Sequence, residues 1–403
     1  MASLPQLPLA PLPYHVNVVQ HLQAHENELW AWFSAEKLRA EQVESVRLEL
    51  LKSTYRLEPE AHPALHDAAR EAAERLGLTA PLTLYQAQGS GGLNASLAYV
   101  PGEAHLVLHG SVTDRLTPLE LRAVLGHELL HFLLLDGWSE YLVASQILSA
   151  MTHDAAAEPV HATTARRFGL YTEVYCDRGA HLVAGDLAAA VSALVKIETG
   201  IAEASAESYL RQADEIFGKG HAQTEGVTHP ETFVRARALR VWAEAPERSA
   251  AELRGVIEGR ISLAELDLLG QQEIASLTRR LVTALLRPAW LQTEPLLAHA
   301  RLFFEDLEPS PAEDPTLAAD LAEGDEKLLD YWCYVILDFA AADRDLEDAP
   351  LAAALLRSEE LGLGERFRRI AAKELGLKKK QLDALEAGAA AMVAKAAAGD
   401  AQA

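Results

Sequence analysis

Two cysteines, Cys176 and Cys333, are all that the 403 residues contain. Two thiols so far apart in sequence make no disulfide framework, and a reducing cytoplasm is the simpler expected location. Positive charge is also scarce. The chain has 36 Lys and Arg against 59 Asp and Glu, a formal net charge of −23 at pH 7. That balance argues against a nucleic-acid backbone as the main partner. No uninterrupted apolar run reaches the ~20 residues needed to span a bilayer. The nearest candidate, HFLLLDGWSEYLVASQILSAM, is broken by Asp136, Gly137, Ser139 and Glu140. The opening MASLPQLPLAPLPYH has neither Lys nor Arg and is interrupted by prolines, so it does not read as a secretory signal. There is no internal repeat of solenoid period, and the expectation is a soluble protein.

What is present is apolar bulk, 49% of residues, in a chain long enough for two or three domains. Residues 17 to 57 read as one or two amphipathic helices, and PALHDAAREAAERLG as another that stops at Gly77. The period then shortens. LTLYQAQ, LNASLAYV and AHLVLHG are short apolar runs separated by GSGG and PGE, and they predict a small antiparallel sheet. Next comes TPLELRAVLGHELLHFLLL. Thr117 with Glu120 three residues on forms a capping box, and Pro118 takes the favoured first helical position. Helical patterns follow over TTARRFGLYTEVYCDRGAHLVAG, DLAAAVSALVKIETG, AESYLRQADEIFG and THPETFVRARALRVWAEA, and beyond about residue 245 nothing else appears. Between Arg301 and Pro350 stand 15 acidic residues against 3 basic ones, the pattern of a solvated acidic surface.

Within the capped helix lies HELLH: His127, Glu128 and His131. Residues four apart on a helix differ by about 40° and ~6 Å along the axis, so both imidazoles leave one face and can grip one zinc ion. Glu128 lies roughly 100° round from His127, where it can flank a metal without binding it. Among 15 histidines a chance match is on the order of one in twenty, so the motif needs support elsewhere. YTEVYCDRGAH supplies it. Glu173 and Asp177 are also four apart on a predicted helix. A catalytic zinc takes three protein ligands and keeps one open position, and Glu173 would complete a His₂Glu set. Asp177, one turn on, is placed to accept the free ring N–H of a ligand histidine. A charged surface is the usual fate of such an acidic pair taken alone; behind HELLH on a capped helix, the metal is the better reading.

The order of strands, NAS, HELLH, EVYCD and then THP with a later Arg resembles the HtpX and CAAX prenyl endopeptidase type of zinc metallopeptidase. These are gluzincins, in which a glutamate is the third zinc ligand. The resemblance covers roughly Thr79 to Leu239. It implies a zincin-like peptidase domain, and with the residue patterns above the expected fold is α+β, predominantly helical: that domain with a small antiparallel sheet, followed by an all-α C-terminal region. It implies one Zn²⁺ per chain on His127, His131 and Glu173, with Asp177 supporting a ligand and Glu128 as general base. His229, in the family's His-Pro pair with Pro230, would sit near the open side of the metal and help hold an oxyanion. Arg235, six residues after it, would orient that segment or touch substrate. Asn94 and Ala95 would lie on the strand that pairs with extended substrate. Two positions depart from the family pattern: Leu170 stands where an Arg is common, and Cys176 where a small residue precedes the Asp. The membrane-spanning helices of many relatives are missing, which makes membrane-embedded or prenylated substrates less expected.

Other polar residues have blander readings. Cys176 fits a small buried hydrophobe, His181 a structural role, and His105 and His109 one solvent or cleft face of a strand. Trp138 reads as core. The expected organisation is a peptidase domain over 1–245, a helical extension over 246–307, an acidic Pro-containing linker over 308–326 and a helical module over 327–403. That last module very weakly resembles the TerB-like helical fold, with Asp343, Asp345 and Glu347 in its acidic turn but Arg344 and Pro350 off the pattern. A solvated loop is the better reading of that turn. The expected function is a metalloendopeptidase acting on proteins or peptides. The competing one is a non-catalytic scaffold stapled by zinc that works through its helical C-terminal half. Glu128 separates the two, because a structural zinc site needs no carboxylate beside its first histidine.

Overall fold

The computed structural model describes residues 9–89, 92–153, 158–219, 224 and 229–400, and of 36–42, 399 and 400 the backbone alone. The chain divides into two compact units, Met1–Gly259 and Arg260–Ala403.

In the first unit three helices, α1 (Pro13–His25), α2 (Asn27–Phe33) and α3 (Glu36–Ser53), lead directly into strand β1 (Thr54–Arg56). Helix α4 (Pro63–Arg75) is followed by β2 (Leu82–Ala87), β3 (Asn94–Val100) and β4 (Glu103–His109). The strands form one sheet in the order β1-β2-β4-β3. It is mixed, which corrects the expected antiparallel sheet. β3 and β4 form an antiparallel hairpin, Ser96 opposite Val107, whereas β2 runs parallel to β4, Leu84 opposite Leu106. The chain leaves β2, runs back along the far edge as β3 and returns between them as β4. β1, too short to show a strand pattern, pairs antiparallel with β2. One sheet face is covered by α3, with Leu50, Tyr85 and Val107 buried between them. His105 is therefore not on a solvent face: it is buried, bonded to Tyr85 Oη at 3.2 Å and Glu103 Oε2 at 3.1 Å. β3 is an edge strand of the sheet.

The remaining helices of this unit are α5 (Val112–Arg115), α6 (Pro118–Gly137), α7 (Ser139–Thr152), α8 (Pro159–Ala184), α9 (Leu187–Thr199), α10 (Ala206–Gly218), α11 (Thr232–Glu244) and α12 (Pro246–Ile257). The capping box at Thr117 forms as the sequence predicts. The Glu120 N–H donates to Thr117 Oγ1 at 3.3 Å, and the Thr117 N–H donates to Glu120 Oε2 at 2.8 Å. Glu120 is buried and also accepts from Ser192 Oγ at 2.7 Å and Lys196 Nζ at 2.8 Å, which pins α9 to the start of α6.

Helix α8 is the hub on which α1, α6, α7, α9 and α11 pack. Tyr14 stacks on Tyr171 at 4.6 Å, and Tyr171 Oη bonds Glu258 beyond α12. His15 is wholly buried against α8, its Nε2 3.2 Å from both Phe168 O and Thr172 Oγ1. Since a carbonyl only accepts, Nε2 carries the hydrogen.

The second unit contains α13 (Leu268–Leu285), α14 (Glu294–Phe303), α15 (Leu317–Ala322), α16 (Glu326–Ala341), α17 (Ala349–Glu360), α18 (Gly364–Glu374) and α19 (Lys379–Asp400), around a core that includes Leu281, Trp332, Ile336 and Phe367. The acidic stretch expected as a linker is part of this unit. Leu317 and Leu321 are buried in the core, and Arg280 reaches from α13 to Asp314 at 2.6 and 2.9 Å and to Asp320 at 2.7 Å. The charge of that stretch is thus partly neutralised by contacts the sequence does not announce. Asp343 caps its own turn: it accepts from the Asp345 N–H at 3.0 Å and from Thr293 Oγ1 at 2.7 Å. Among the described residues no helix is long and apolar enough to cross a membrane.

Burial holds His15 neutral, lowering its pKa to about 4 despite the hydrogen bond to Phe168. A folded-state pKa below the unfolded value of ~6.5 means that this stability is complete above pH ~6.5 and drains as pH falls toward 4. At pH 5 the loss is about 2 kcal/mol. His15→Gln keeps a donor but cannot charge, so the fall in Tm between pH 7.5 and 5 should be smaller for this variant than for wild type. Equal falls would show that His15 titrates as it does unfolded.

Candidate metal centre

The two helices that carry the polar residues cross at a pair of glycines. A Cβ at Gly126 would lie 2.7 Å from Gly179 O, and one at Gly179 2.7 Å from Gly126 O. Only hydrogen fits at either Cα, so α6 and α8 approach backbone to backbone. Gly126 precedes His127, and Gly179 lies two residues past Asp177. The crossing therefore sets the distance between the two motifs.

What it brings together is compact. His127 Nε2 and His131 Nε2 are 3.2 Å apart. Glu173 Oε2 is 3.4 Å from His127 Nε2, and Glu173 Oε1 is 3.6 Å from His131 Nε2. These three ligand atoms lie within 4.8 Å of one another, and no other such metal-ligating group occurs among the described residues. Asp177 Oδ1 accepts from His127 Nδ1–H at 3.1 Å, which turns Nε2 toward Glu173. Asp177 is itself held by Arg235, whose Nε and Nη2 donate to it at 2.9 and 2.6 Å. Arg235, which the family resemblance implied would orient its segment or touch substrate, is engaged with Asp177; its Nη2 is also 3.7 Å from Glu173 Oε2.

The electrostatics favour a cation here. Burial lowers the His127 pKa, but Asp177 and Glu173 more than reverse this and raise it to about 10. Burial and the His127 charge lower His131 to about 4. Burial works against ionisation of Glu173, yet His127 and Arg235 hold its carboxyl far below the usual carboxylate range. Asp177 is likewise held low, against its burial, by Arg235 and His127. Two imidazole nitrogens 3.2 Å apart cannot both present lone pairs unless a cation lies between them. Here a proton on His127 plays that part, and a divalent ion suits the same place. Two imidazoles and one carboxylate are a zinc donor set, and the residues fit that metal.

Glu128 is buried beside this group, and its carboxylate accepts from the backbone N–H of Leu97 on β3. Burial raises its pKa to about 7, against the charge of His127. A carboxyl near neutrality can both take and return a proton at physiological pH. His229 lies 57% exposed with Nε2 3.5 Å from Glu173 Oε2, on the solvent side of the three ligands. A cavity of about 370 Å³ opens here, and Asn94, Ala95, Glu128, His229 and Arg235 all line it along with the ligand set. Asn94 Oδ1 accepts from the Ala95 N–H at 2.9 Å. Cys176 is buried and lies outside the ligand group, its thiol pKa raised by burial and nearby acids. His181 stands edge-on to Trp242, away from the ligands.

Some contributors are not apparent in sequence. Leu97 acts through its backbone N–H, which no side-chain pattern reveals. The apolar residues of α9 that wall the cavity are indistinguishable in sequence from ordinary core. Gly126 and Gly179 did carry a signal: glycine inside an otherwise strong helix usually marks a close approach.

Comparison with known proteins bears on what such a group of side chains could do. Residues 59–243 match the model of peptidase family M48. The chain is 32% identical over 202 residues to the plastoglobule-localized metallopeptidase 48, chloroplastic, of Arabidopsis thaliana. That match covers 45% of this chain and 58% of the relative, so the chain spans little more than half the length of the curated relative it matches. No solved structure gives a significant match.

The glycine crossing makes a paired prediction. Gly126→Ala forces α6 and α8 apart and should cost about 1–3 kcal/mol in stability, with loss of bound metal. Gly169→Ala lies on α8 where a Cβ meets nothing within 4 Å, and should add up to ~1 kcal/mol through helix propensity. Thermal unfolding with metal analysis checks both. Equal effects at the two positions would rule out the crossing as the constraint.

Proposed function

We propose that the chain is a zinc-dependent metalloendopeptidase that hydrolyses peptide bonds of proteins or peptides, with His127, His131 and Glu173 as the zinc ligands. The observation that carries this is a buried carboxylate, Glu128, lining the same cavity as a complete His₂Glu set. A scaffold that used zinc as a staple would have no use for it. Within the M48 family, the order of motifs supports the HtpX and CAAX prenyl endopeptidase type.

When bound, zinc supplies Lewis acidity: it lowers the pKa of a water molecule to near neutrality and polarises a carbonyl. The residues of the chain do the rest. Asp177, braced by Arg235, fixes the tautomer and ring orientation of His127. β3 offers an edge on which an extended substrate adds as a further strand, with Asn94 and Ala95 at its start. Glu128 removes a proton from the attacking water and returns it to the leaving amine. The Leu97 N–H keeps that carboxylate aimed into the cavity. His229, exposed across from the ligands, donates to the oxygen on which charge develops. Cys176 and Cys333 are free and buried, which supports a reducing location such as the cytoplasm.

The test is Glu128→Gln. It should keep zinc at wild-type stoichiometry and lose casein cleavage by about 10²–10⁴-fold. Undiminished cleavage would remove Glu128 as the base, and absence of zinc from both proteins would remove the metal site.

A further inference from the structure

The open edge of β3 runs on past the metal centre. Asn94 to Leu97 border the cavity there, and a second space of about 280 Å³ opens further along the same strand. It is a groove between three elements: Val43 and Val46 of α3, Tyr99 and Pro101 of the β3–β4 hairpin, and Leu142 and Gln146 of α7. No lining side chain carries a charge. The two spaces are linked through Tyr99, whose Oη donates at 3.3 Å to the carbonyl of Leu135, a residue of the first cavity.

The walls of the groove are fixed. Leu142 is buried, and α3 is held over the sheet by the packing of Leu50 on Tyr85 and Val107 and by Arg47, which reaches Glu103 at 2.8 Å. Val43 and Val46, three apart, share one face of α3 and are half-buried. Helix α3 ends before residue 59, where the family match begins, so one wall of the groove lies outside that match. The Leu97 N–H points to the open edge, toward Glu128, and the two-residue period of a strand turns the main-chain groups of Tyr99 the same way. A peptide added along this edge is carried from the metal centre to the groove. Pairing is residue for residue, so the groove faces a substrate residue about three to five positions from the one beside the ligands.

We propose that this groove is a second recognition site for the substrate: it takes one apolar side chain, Leu, Ile or Phe, about three to five residues from the scissile bond. An apolar side chain placed there leaves water, whereas a carboxylate would be desolvated with no cationic partner in the lining. The inference rests on the peptidase reading above and goes further by naming a feature of the substrate remote from the cut.

The experiment first locates a cut by digesting casein with the zinc-loaded full chain. Peptides built around that cut then carry Leu or Asp at successive positions on each side of it. At one position, about three to five residues from the cut, Leu should exceed Asp on the order of 10–100-fold in kcat/KM. A peptide that ends short of this position should be cut as slowly as the Asp form. Val43→Lys puts an ammonium in the groove and should lower the Leu-to-Asp ratio there at least ~10-fold. Ser45→Trp, at an exposed position of the same lining, fills the groove and should abolish the advantage of Leu; it keeps the test open if the first variant does not fold. A wild-type enzyme indifferent to every position remote from the cut, or zinc-loaded variants with the wild-type ratio, would overturn the groove and leave the peptidase reading standing. A wild-type chain that binds zinc and cuts nothing would overturn both.

Discussion

Everything at the metal centre depends on two hydrogens. Gly126 and Gly179 have no side chains, and this lets α6 and α8 cross with a backbone carbonyl of one against the Cα of the other. A pair of helices kept apart by ordinary side chains stands 8–10 Å axis to axis. The glycines lie within the motifs, one immediately before His127 and one two residues after Asp177. The ligand set and the contact that spaces it are therefore one stretch of sequence on each helix. Glycine inside a helix costs about 0.5–1 kcal/mol relative to alanine. At these two positions that cost is offset by a crossing that no other residue permits.

Around that crossing the charges form a closed series. Arg235 binds Asp177, Asp177 orients His127, and His127 faces Glu173 and His131. The group is nearly all buried, and unpaired charges there would be costly. It is balanced because carboxylates alternate with cationic or ring-nitrogen groups. Without a metal the balance demands a proton on His127, so a centre of positive charge is part of the fold. A divalent ion bound there would replace that proton in a place the protein already stabilises.

The sequence revealed side-chain chemistry more readily than spatial arrangement. Thr117, Pro118 and Glu120 predicted a capped helix start, and the capping hydrogen bonds are present. His127 and His131 share a face because four residues make about one turn, and Glu173 and Asp177 share one for the same reason. The four-residue spacing also gave Asp177 its place behind the ligand, and 3.1 Å separates it from His127. Topology was harder. β2 and β4 are parallel because β3 passes outside them, and hydrophobic alternation carries no information on strand order. β1 has three residues at the end of a long helix, too few for a period. His105 alternates as a surface residue would, but α3 covers that face. Proline and acidic residues suggested a linker at 308–326, where in fact Arg280 and two leucines bind the stretch to a helical core. In each case the missing information was which element lies alongside, and that is set by long-range packing.

Glu120 has a consequence that local helix rules conceal. At the third position of a capping box, glutamate and glutamine are ordinarily interchangeable, since either side chain can accept from the N-cap amide. Here the same carboxylate is also the counter-charge of the buried Lys196 ammonium. Glutamine would serve the cap and leave that ammonium unpaired. The two residues are therefore locked as a pair: neither can drift in sequence without the other. A position that looks permissive on one helix is fixed by a residue 76 places away.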